Sequence, residues 1–464
     1  MGGSGPRVLF GIDQWQKIQP ALSGLRIGLL THEQAVDSHL VPSFRRLAAE
    51  AGAARLRLVA LFGPEHGFYG AVQDTLSVGN DRDRHTGLPL YSLFGPQDAP
   101  TDDMLADVDV LVCDLVDVGV RFYTYAATMA RCLEVCARQR KRMIVLDRPN
   151  PLGGNVCEGP QLDPNFRSFL GYLPTPLRHG LTLGELARFY NEFAGLHAAL
   201  DIVPVQGWQG RLSWPAVGHP WVPPSPNLPT YTSAMLYPGM CLLEGTNLSE
   251  GRGTTLPFEM FGAPWIDEYE LADALNEAGI PGVYFRPAHF IPTFWKYENE
   301  PCGGVQIHVL APGCKDSAAP AAAVAAGHPT TSASQGRLSP PHDLPIDPLL
   351  IGLTVLTTTR RLYPDRFHWR MDASSGRFSL DLLLGNSHTR QDLEAGRSPR
   401  DIAEEWRQTG LRFRQEIGSF LLYGPAAPPP LSPPADVELP SSLPEQSSPD
   451  NRVLPQTTGE CDSR

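Results

Sequence analysis

The sequence of 464 residues lacks a long apolar run, and no stretch approaches the roughly 18 residues that a membrane span requires. Its N-terminus, MGGSGPRVLFGIDQ, also lacks the basic segment and apolar stretch of a signal peptide. Basic residues are scarce, with 38 against 50 acidic ones and a net charge of -12. We therefore expect neither nucleic acid nor a membrane as a main partner. A cytoplasmic location is expected, and export would require a true start upstream of Met1.

The eight cysteines form no C-x-x-C pair. Cys132 and Cys136 are four residues apart in a predicted helix and would share one of its faces. This usage is typical of free, buried thiols in a reducing compartment, and it argues against a disulfide framework or a structural metal site.

Several motifs of cofactor and nucleophile chemistry are absent. The first predicted strand leads into THEQAVD, which contains no glycine, so the G-x-G-x-x-G turn of a dinucleotide site is missing. The G-x-x-x-x-G-K-[ST] loop, the H-E-x-x-H metal helix and the G-x-S-x-G nucleophile turn are missing as well. We therefore expect no cofactor and no catalytic metal.

The first half of the chain alternates short apolar runs with helix-like segments. Near-continuous apolar runs are typical of strands that are covered on both faces, and this alternation predicts an α/β fold with a doubly wound parallel sheet. Thr182 and Glu185 are spaced as a capping box at the start of the third helix. The predicted strands are 25–30, 56–62, 108–115, 142–147 and 200–205, and the predicted helices are 42–53, 124–141 and 182–196.

The second half has a different pattern. Residues 206–264 are rich in Gly, Pro and Trp, which predicts long ordered loops. A smaller α+β domain is expected after them, with helices at 267–278, 347–363 and 399–422 and strands at 282–286 and 303–310. The expected domains are 1–232 and 233–423, with a low-complexity insertion at 311–345 and a disordered tail at 424–464.

Polar and aromatic residues follow the predicted strands, where the ligand crevice of such a sheet lies. In LFGPEHGFYG (61–70), Glu65 comes directly after a strand. A carboxylic acid can protonate the leaving oxygen of a glycoside, and burial by Pro64, Phe68 and Tyr69 could favour the protonated form. Glu65 is therefore a candidate catalytic acid, although a Glu that only caps a turn would give the same pattern.

Other candidates occur in three further segments. GVRFYTY offers Arg121 and Tyr123, which could hold a carboxylate and stack on a sugar, or could simply begin a helix with buried aromatics. PPSPN is predicted to be a rigid loop that presents Asn227. The Gly-rich segment LEGTNLSEGRGT contains Glu244, Asn247, Glu250 and Arg252, which could line a ligand site or form an Arg–Glu structural network.

These strings resemble one family when they are taken together. LFGPEHGFYG, DVGVRFYTY, DRPNPLGG, RHGLTLGELA, PPSPNLP, YPGMCLLEGTNLSEGRGTTLPFE and GAPW occur in that order, with LLLGNSHTRQDLEAGRSPRDIAEEW near the end. The chain is similar to the NamZ-type exo-β-N-acetylmuramidases (glycoside hydrolase family 171) over about residues 8–310 and 346–423. One departure is Thr31-His32, where the family usually has Thr-Asn.

The resemblance implies a Rossmann-like N-terminal domain without a nucleotide, a smaller α+β C-terminal domain, and an active site in the interdomain cleft. It implies a glycosidase that releases N-acetylmuramic acid from the non-reducing end of peptidoglycan fragments, with a small saccharide or muropeptide as partner. The implied catalytic residues are Glu65 and His66. The implied substrate-binding residues are Arg121, Tyr123, Asn227, Glu244, Asn247 and Arg252.

Alternatives remain open at this point. A protein with the same cleft could bind muropeptides without cutting them, and an esterase or amidase acting on cell-wall peptides is a weaker interpretation. For the glycosidase, either a carboxylate nucleophile or the 2-acetamido group of the substrate could meet the developing positive charge.

Overall fold

The computed structural model describes residues 8–54, 56–73, 76, 79–210, 212–310 and 346–424. The predicted insertion at 311–345 and all but the first residue of the predicted tail lie outside the described residues. None of the helices in the described part of the chain combines the length and the apolar character needed to cross a membrane.

A seven-stranded sheet forms the centre of the first half. Its order is β3-β4-β2-β1-β5-β6-β9, and every neighbouring pair is parallel except β3 with β4. Counted along the chain, the six parallel strands lie in the order third, second, first, fourth, fifth, sixth, which is the Rossmann order. The strands are β1 (Arg26–Thr31), β2 (Arg57–Gly63), β3 (Asp81–Arg82), β4 (Pro89–Ser92), β5 (Val110–Asp114), β6 (Arg142–Leu146) and β9 (Leu200–Val203). The predicted doubly wound sheet is confirmed.

Helices cover both faces of this sheet, as the apolar runs predicted. On β5, Val110 and Val112 pack with one buried cluster, while Leu111 and Cys113 pack with the other. The predicted capping box is present at the start of the helix Leu183–Phe193, where Thr182 accepts a hydrogen bond from the N–H of Glu185. The helices of this half are α1 (Trp15–Ile18), α2 (Ser43–Ala54), α3 (Tyr125–Arg138), α4 (Leu183–Phe193) and α5 (Trp214–Val217).

The second half is built around a three-stranded antiparallel sheet in the order β10-β12-β11. A two-stranded hairpin, β7 (Glu158–Gln161) with β8 (Pro176–Arg178), belongs to the first half of the chain and packs against the last helix. The remaining strands are β10 (Met260–Ala263), β11 (Val283–Phe290) and β12 (Cys302–Val309). The remaining helices are α6 (Tyr231–Met240), α7 (Glu268–Glu277), α8 (Pro348–Leu362), α9 (Ser379–Leu384), α10 (His388–Glu394) and α11 (Pro399–Glu416).

Some sequence expectations were wrong. Residues 206–264 are not only loops, because they contain α5, α6 and β10. The Tyr-Pro-Gly within α6 concealed that helix, since Pro and Gly normally interrupt helices. The last helix ends at Glu416 and not at 422, and the chain then turns back toward the large sheet.

Close contacts join the two halves. Tyr423 donates its hydroxyl to Asp147 Oδ2 at 2.7 Å, just beyond the end of β6. Leu422 N–H donates to Glu185 Oε1 at 2.7 Å. A Cβ at Gly410 of α11 would collide with the carbonyl oxygen of Cys157, so the helix can approach the hairpin this closely only with glycine there. One buried apolar cluster extends through both halves.

Candidate active site

The loops after β1 and β5 meet at the point where the strand order of the large sheet reverses. His32 follows β1, is fully buried, and accepts a hydrogen bond on Nε2 from the N–H of Val116 at 3.2 Å. Its Nδ1 lies 3.1 Å from Gln34 Oε1. Burial, with the nearby Arg148 charge, lowers the pKa of His32 to about 3. His32 is therefore a neutral imidazole that ties the two loops together.

Glu65 lies in the turn after β2 and points to the beginning of α3. Thr124 Oγ1 is 2.6 Å from Glu65 Oε2, and the Tyr125 hydroxyl lies 3.3 Å from the Glu65 carbonyl oxygen. Thr124 occupies the N-cap position, but its hydroxyl caps no N–H of the helix. Glu65 is half-buried beside the N-terminus of α3.

His66 and Asn227 lie in the two loops beside Glu65. His66 is buried, has a left-handed backbone (φ 69°), and places Nδ1 2.9 Å from the Val72 carbonyl oxygen. Asn227 is buried and donates from Nδ2 to Gln73 Oε1 at 2.9 Å. Tyr125 also reaches the Pro224 carbonyl oxygen at 3.2 Å. The segment 65–73 and the PPSPN loop are thus joined around Glu65, and the left-handed conformation of His66 is the kind of backbone strain found at functional sites.

The apolar neighbours expected around Glu65 have other contacts. Phe68 packs its ring edge-on against Phe44 at 4.9 Å, in the core beneath the sheet. Tyr69 donates its hydroxyl to Asp83 Oδ1 at 2.8 Å. Thr124, a polar side chain, lies directly against the Glu65 carboxyl group.

Tyr123 belongs to a line of buried aromatic rings that leads away from Glu65. Its ring centroid lies 4.6 Å from that of Tyr125 and 6.2 Å from that of Tyr237. The hydroxyl of Tyr123 is buried, and burial, with the neighbouring Tyr125, raises its pKa well above the ordinary value. Tyr237 contacts Phe258 at 4.9 Å, and the Arg252 guanidinium lies 4.8 Å above the Phe258 ring. Ring contacts therefore connect the Glu65 region to Arg252.

Arg252 belongs to a charged network in the second half. It pairs with Glu244 at 2.7 Å and with Glu250 at 2.9 Å, and Lys296 pairs with the other oxygen of Glu250 at 3.0 Å. Burial alone would raise the pKa of Glu250, but the two cations lower it below the ordinary value. The Arg–Glu network that the sequence left open is therefore present. Asn247 joins a neighbouring loop, accepting from His368 N–H at 2.9 Å.

Arg121 has contacts that do not suit the predicted role in substrate binding. Its side chain is buried, and Nη1 donates to the carbonyl oxygens of Pro160 at 2.9 Å and Thr175 at 2.6 Å. Nη2 donates to the Leu384 carbonyl oxygen at 2.7 Å. Burial lowers the pKa of Arg121 to about 9. The guanidinium thus links the first half of the chain to α9, and it is directed at backbone oxygens.

A buried Asp–His pair near the rim was missed by the sequence reasoning. Asp117 Oδ2 accepts from Gly119 N–H at 2.7 Å and lies 3.3 Å from His179 Nε2. His179 Nδ1 accepts from Leu181 N–H, so the ring proton is on Nε2, facing Asp117. Asp117 Oδ1 is buried without a hydrogen-bond partner among the described residues. Asp117 lies in DVGVRFYTY and His179 in RHGLTLGELA. The two residues are 62 positions apart in the chain, so no spacing rule could pair them.

A narrow cavity opens at the same rim. Its volume is about 20 Å³, which is room for a water molecule or two and not for a sugar ring. Arg148 in its wall is held by Asp114 in a two-point ion pair, with N–O distances of 2.6 and 2.9 Å. The walls include Phe10, Gln34, Val116, Arg148, Trp214 and Trp221.

In the described part of the chain, Asp13, Asp37 and His39 form one group that could hold a metal ion by composition. Their possible ligand atoms all lie within 4.8 Å of one another. Their carboxylates already accept hydrogen bonds from the N–H groups of Phe10 and His39, and Arg46 pairs with Asp37 at 3.0 Å. These contacts indicate a braced surface loop and give no support for a metal centre.

Comparisons with known proteins agree with this architecture. The family model for the exo-β-N-acetylmuramidase NamZ N-terminal region matches residues 27–232, and the C-terminal model matches residues 235–423. The peptidoglycan β-N-acetylmuramidase NamZ of Bacillus subtilis (strain 168) is 39% identical over 419 residues, which is 90% of this chain and 92% of the relative.

Two solved structures of DUF1343 family proteins from Bacteroides fragilis NCTC 9343 are also similar. One is 33% identical with a TM-score of 0.75, and the other is 28% identical with a TM-score of 0.64. Each comparison covers 90% of this chain and 99% of the other. Because the family models cover most of the chain and a relative is 39% identical over 90% of it, the chain belongs to the NamZ exo-β-N-acetylmuramidase family.

Proposed function

We propose that this protein is an exo-acting glycosidase that releases N-acetylmuramic acid from the non-reducing end of peptidoglycan fragments. The observation that carries the proposal is the 39% identity, over 90% of the chain, to a peptidoglycan β-N-acetylmuramidase. The position of a half-buried glutamate at the rim of a Rossmann sheet that lacks a nucleotide-binding glycine turn supports the same chemistry.

Glu65 is the proposed general acid. A Thr124 hydroxyl at 2.6 Å can donate to the ionised carboxylate or accept from the protonated acid, so it can hold the group through both halves of a proton transfer. His66 and Asn227 fix the loops on either side of it. The group that stabilises the positive charge developing on the sugar is either a carboxylate of the protein or the acetamido oxygen of the substrate itself.

The proposed substrate site extends from Glu65 toward the second half of the chain, in a cleft between the two. The rings of Tyr123, Tyr237 and Phe258 are buried and contact one another between these two regions, so they would support the site from beneath. Arg252 lies at the far end of these rings. Its guanidinium suits the lactyl carboxylate of the substrate, and Glu244, which is partly exposed, would then be displaced as its partner.

A cytoplasmic location and a saccharide partner complete the proposal. The six cysteines that the structure describes are all buried free thiols, which is typical of a reducing compartment. Small muropeptide fragments are the expected substrates there. Fractionation of cells, with activity followed in the soluble and exported fractions, checks the location.

Glu65→Gln is the direct test of the mechanism. Turnover of a chromogenic N-acetylmuraminide is expected to fall by about 10²–10⁴, the usual contribution of general acid catalysis, with an unchanged circular dichroism spectrum. Glu33→Gln is the matched control, because Glu33 is also half-buried at the rim, directly after β1. Full activity in Glu65→Gln would remove the assignment. Tight binding of muropeptides by the wild type without any product in mass spectrometry would instead support a binding protein.

A further inference from the structure

A second and larger cavity lies in the second half of the chain, around the segment 295–297 and the segment 368–370. Its volume is about 460 Å³, enough for a monosaccharide unit, and it is open to solvent. Asn247, which the family resemblance implies for substrate binding, lies at this cavity, whose walls are Thr246, Asn247, Trp295, Lys296, Tyr297, His368, Trp369 and Arg370. None of the residues that line it is acidic, although the whole chain carries a net charge of -12.

The backbone beside this cavity is strained. Trp295, Tyr297 and Asn299 all adopt left-handed conformations, with φ values of 73°, 57° and 61°. Such conformations are unfavourable for residues other than glycine, and they persist where the surrounding contacts impose them. Three left-handed residues at alternate positions in one short segment indicate that surrounding contacts hold this segment in a strained conformation, as is found at functional sites.

Lys296 supplies the contacts that hold this segment. Its ammonium group donates to the carbonyl oxygens of Leu243 at 2.9 Å and Leu248 at 2.8 Å, and it pairs with buried Glu250 at 3.0 Å. Tyr297 adds a hydrogen bond to the Asn247 carbonyl oxygen at 2.6 Å. With its neighbours fixed from inside, the Trp295 side chain is left on the surface, where 41% of it is exposed.

Arg370 stacks on this tryptophan. Its guanidinium carbon lies 5.0 Å from the centre of the Trp295 ring. The nearby carboxylate of Asp372 accepts instead from the hydroxyls of Ser374 and Ser375, both at 2.7 Å. Within the part of the chain that the structure describes, no hydrogen bond joins the Arg370 guanidinium to a carboxylate, so its donors remain directed to solvent at the cavity.

We propose that this cavity is a second saccharide-binding site, separate from Glu65, which takes a carboxylate-bearing amino sugar. Aromatic rings provide area for the apolar face of a sugar, and a guanidinium binds a carboxylate in a two-point fork. The identity of the ligand rests on the proposed function, because N-acetylmuramic acid is the sugar that carries both features. A glycan fragment held here as well as at Glu65 would be retained through two contacts, which raises its effective concentration.

The eight tryptophans of the chain make a direct test practical. The protein is labelled with ¹⁵N at the indole nitrogens, the Trp295 signal is assigned from the spectrum of Trp295→Phe, and N-acetylmuramic acid is added to the full chain. The Trp295 signal is expected to move in a saturable manner. Arg370→Ala should raise the half-saturating concentration about tenfold, as expected for the loss of a charge-assisted hydrogen bond. Arg370→Lys should raise it less.

Three controls separate this site from simpler explanations. Arg361→Ala removes another exposed arginine, outside the cavity, and should leave the titration unchanged. N-acetylglucosamine has the ring without the carboxylate, and lactate has the carboxylate without the ring, so both should bind at least tenfold more weakly. Equal half-saturating concentrations for either compound, or for wild type and Arg370→Ala, would overturn the proposal. Turnover of the chromogenic substrate tests the glycosidase independently of this result.

Discussion

Glu185 should make the free energy of unfolding depend on pH, and the substitution Glu185→Gln should remove this dependence. Its carboxyl group is 2% exposed, and it accepts hydrogen bonds from the N–H groups of Thr182, Leu422 and Tyr423 at 3.0, 2.7 and 3.3 Å. Burial raises the pKa of Glu185 from 4.5 to about 7, although the three N–H donors act in the opposite direction. The folded protein therefore keeps this proton over a range in which the unfolded chain has lost it.

The sign and size of the effect follow from this difference. Below pH 4.5 both states hold the proton, and the contribution of Glu185 to stability is fully present. As the pH rises from 4.5 to about 7, only the unfolded state releases the proton, so the free energy of unfolding falls. Each pH unit in this window is worth about 1.4 kcal/mol, which gives a total loss of about 3 kcal/mol.

Urea denaturation of the wild type and of Glu185→Gln at several pH values between 4 and 8 measures this loss. The glutamine cannot titrate, so the difference in free energy of unfolding between the two proteins should fall by about 3 kcal/mol across the window, while other titrations cancel. Glu192→Gln, an exposed position on the same helix α4, controls for the loss of one carboxylate. A difference that is flat, or that rises with pH, would show that the N–H donors outweigh burial and would refute the reasoning.

Three further substitutions test contacts described above. Tyr423→Phe removes the hydroxyl that donates to buried Asp147 at 2.7 Å, and the free energy of unfolding should fall by about 2–3 kcal/mol in urea denaturation. Arg121→Lys leaves one or more of its backbone acceptors unpaired, so we expect a loss of about 2–4 kcal/mol, seen as a lower midpoint of thermal unfolding. Thr124→Val keeps the shape of the side chain but not the 2.6 Å contact with Glu65, so kcat should fall about tenfold while KM changes little. Unchanged values in any of these assays would contradict the corresponding contact.

The sheet could be predicted from the sequence because its signals are local. The runs at β1, β2, β5, β6 and β9 are mostly apolar, and the Thr182–Glu185 spacing marks a helix start by itself. Strand β3 at the edge of the sheet and β4 beside it were missed because they are short, with two and four residues, and neither is a continuous apolar run. Helix α6 was missed because its tertiary contacts override the propensities of Pro238 and Gly239.

The contacts of the candidate site could be predicted only in part. The position of Glu65 after a strand placed it at the rim, because the ends of parallel strands share one edge. The same reasoning could not show that Arg121 is directed at carbonyl oxygens more than 260 residues away in the chain. Nor could it show that Asp117 faces His179. Such pairings depend on how the two halves pack, which no local pattern contains.

The attachment of residues 422 and 423 to the large sheet bears on how substrate can enter. Asp147 and Glu185 connect residues 422 and 423 to β6 and α4, and Arg121 connects the first half to α9. A clamshell movement of the two halves about a hinge would break all of these buried bonds together. Entry and release should therefore depend on short movable flaps, of which the strained turn at His66 is the nearest to Glu65. Turnover would then be limited by the motion of a loop and not by the separation of lobes.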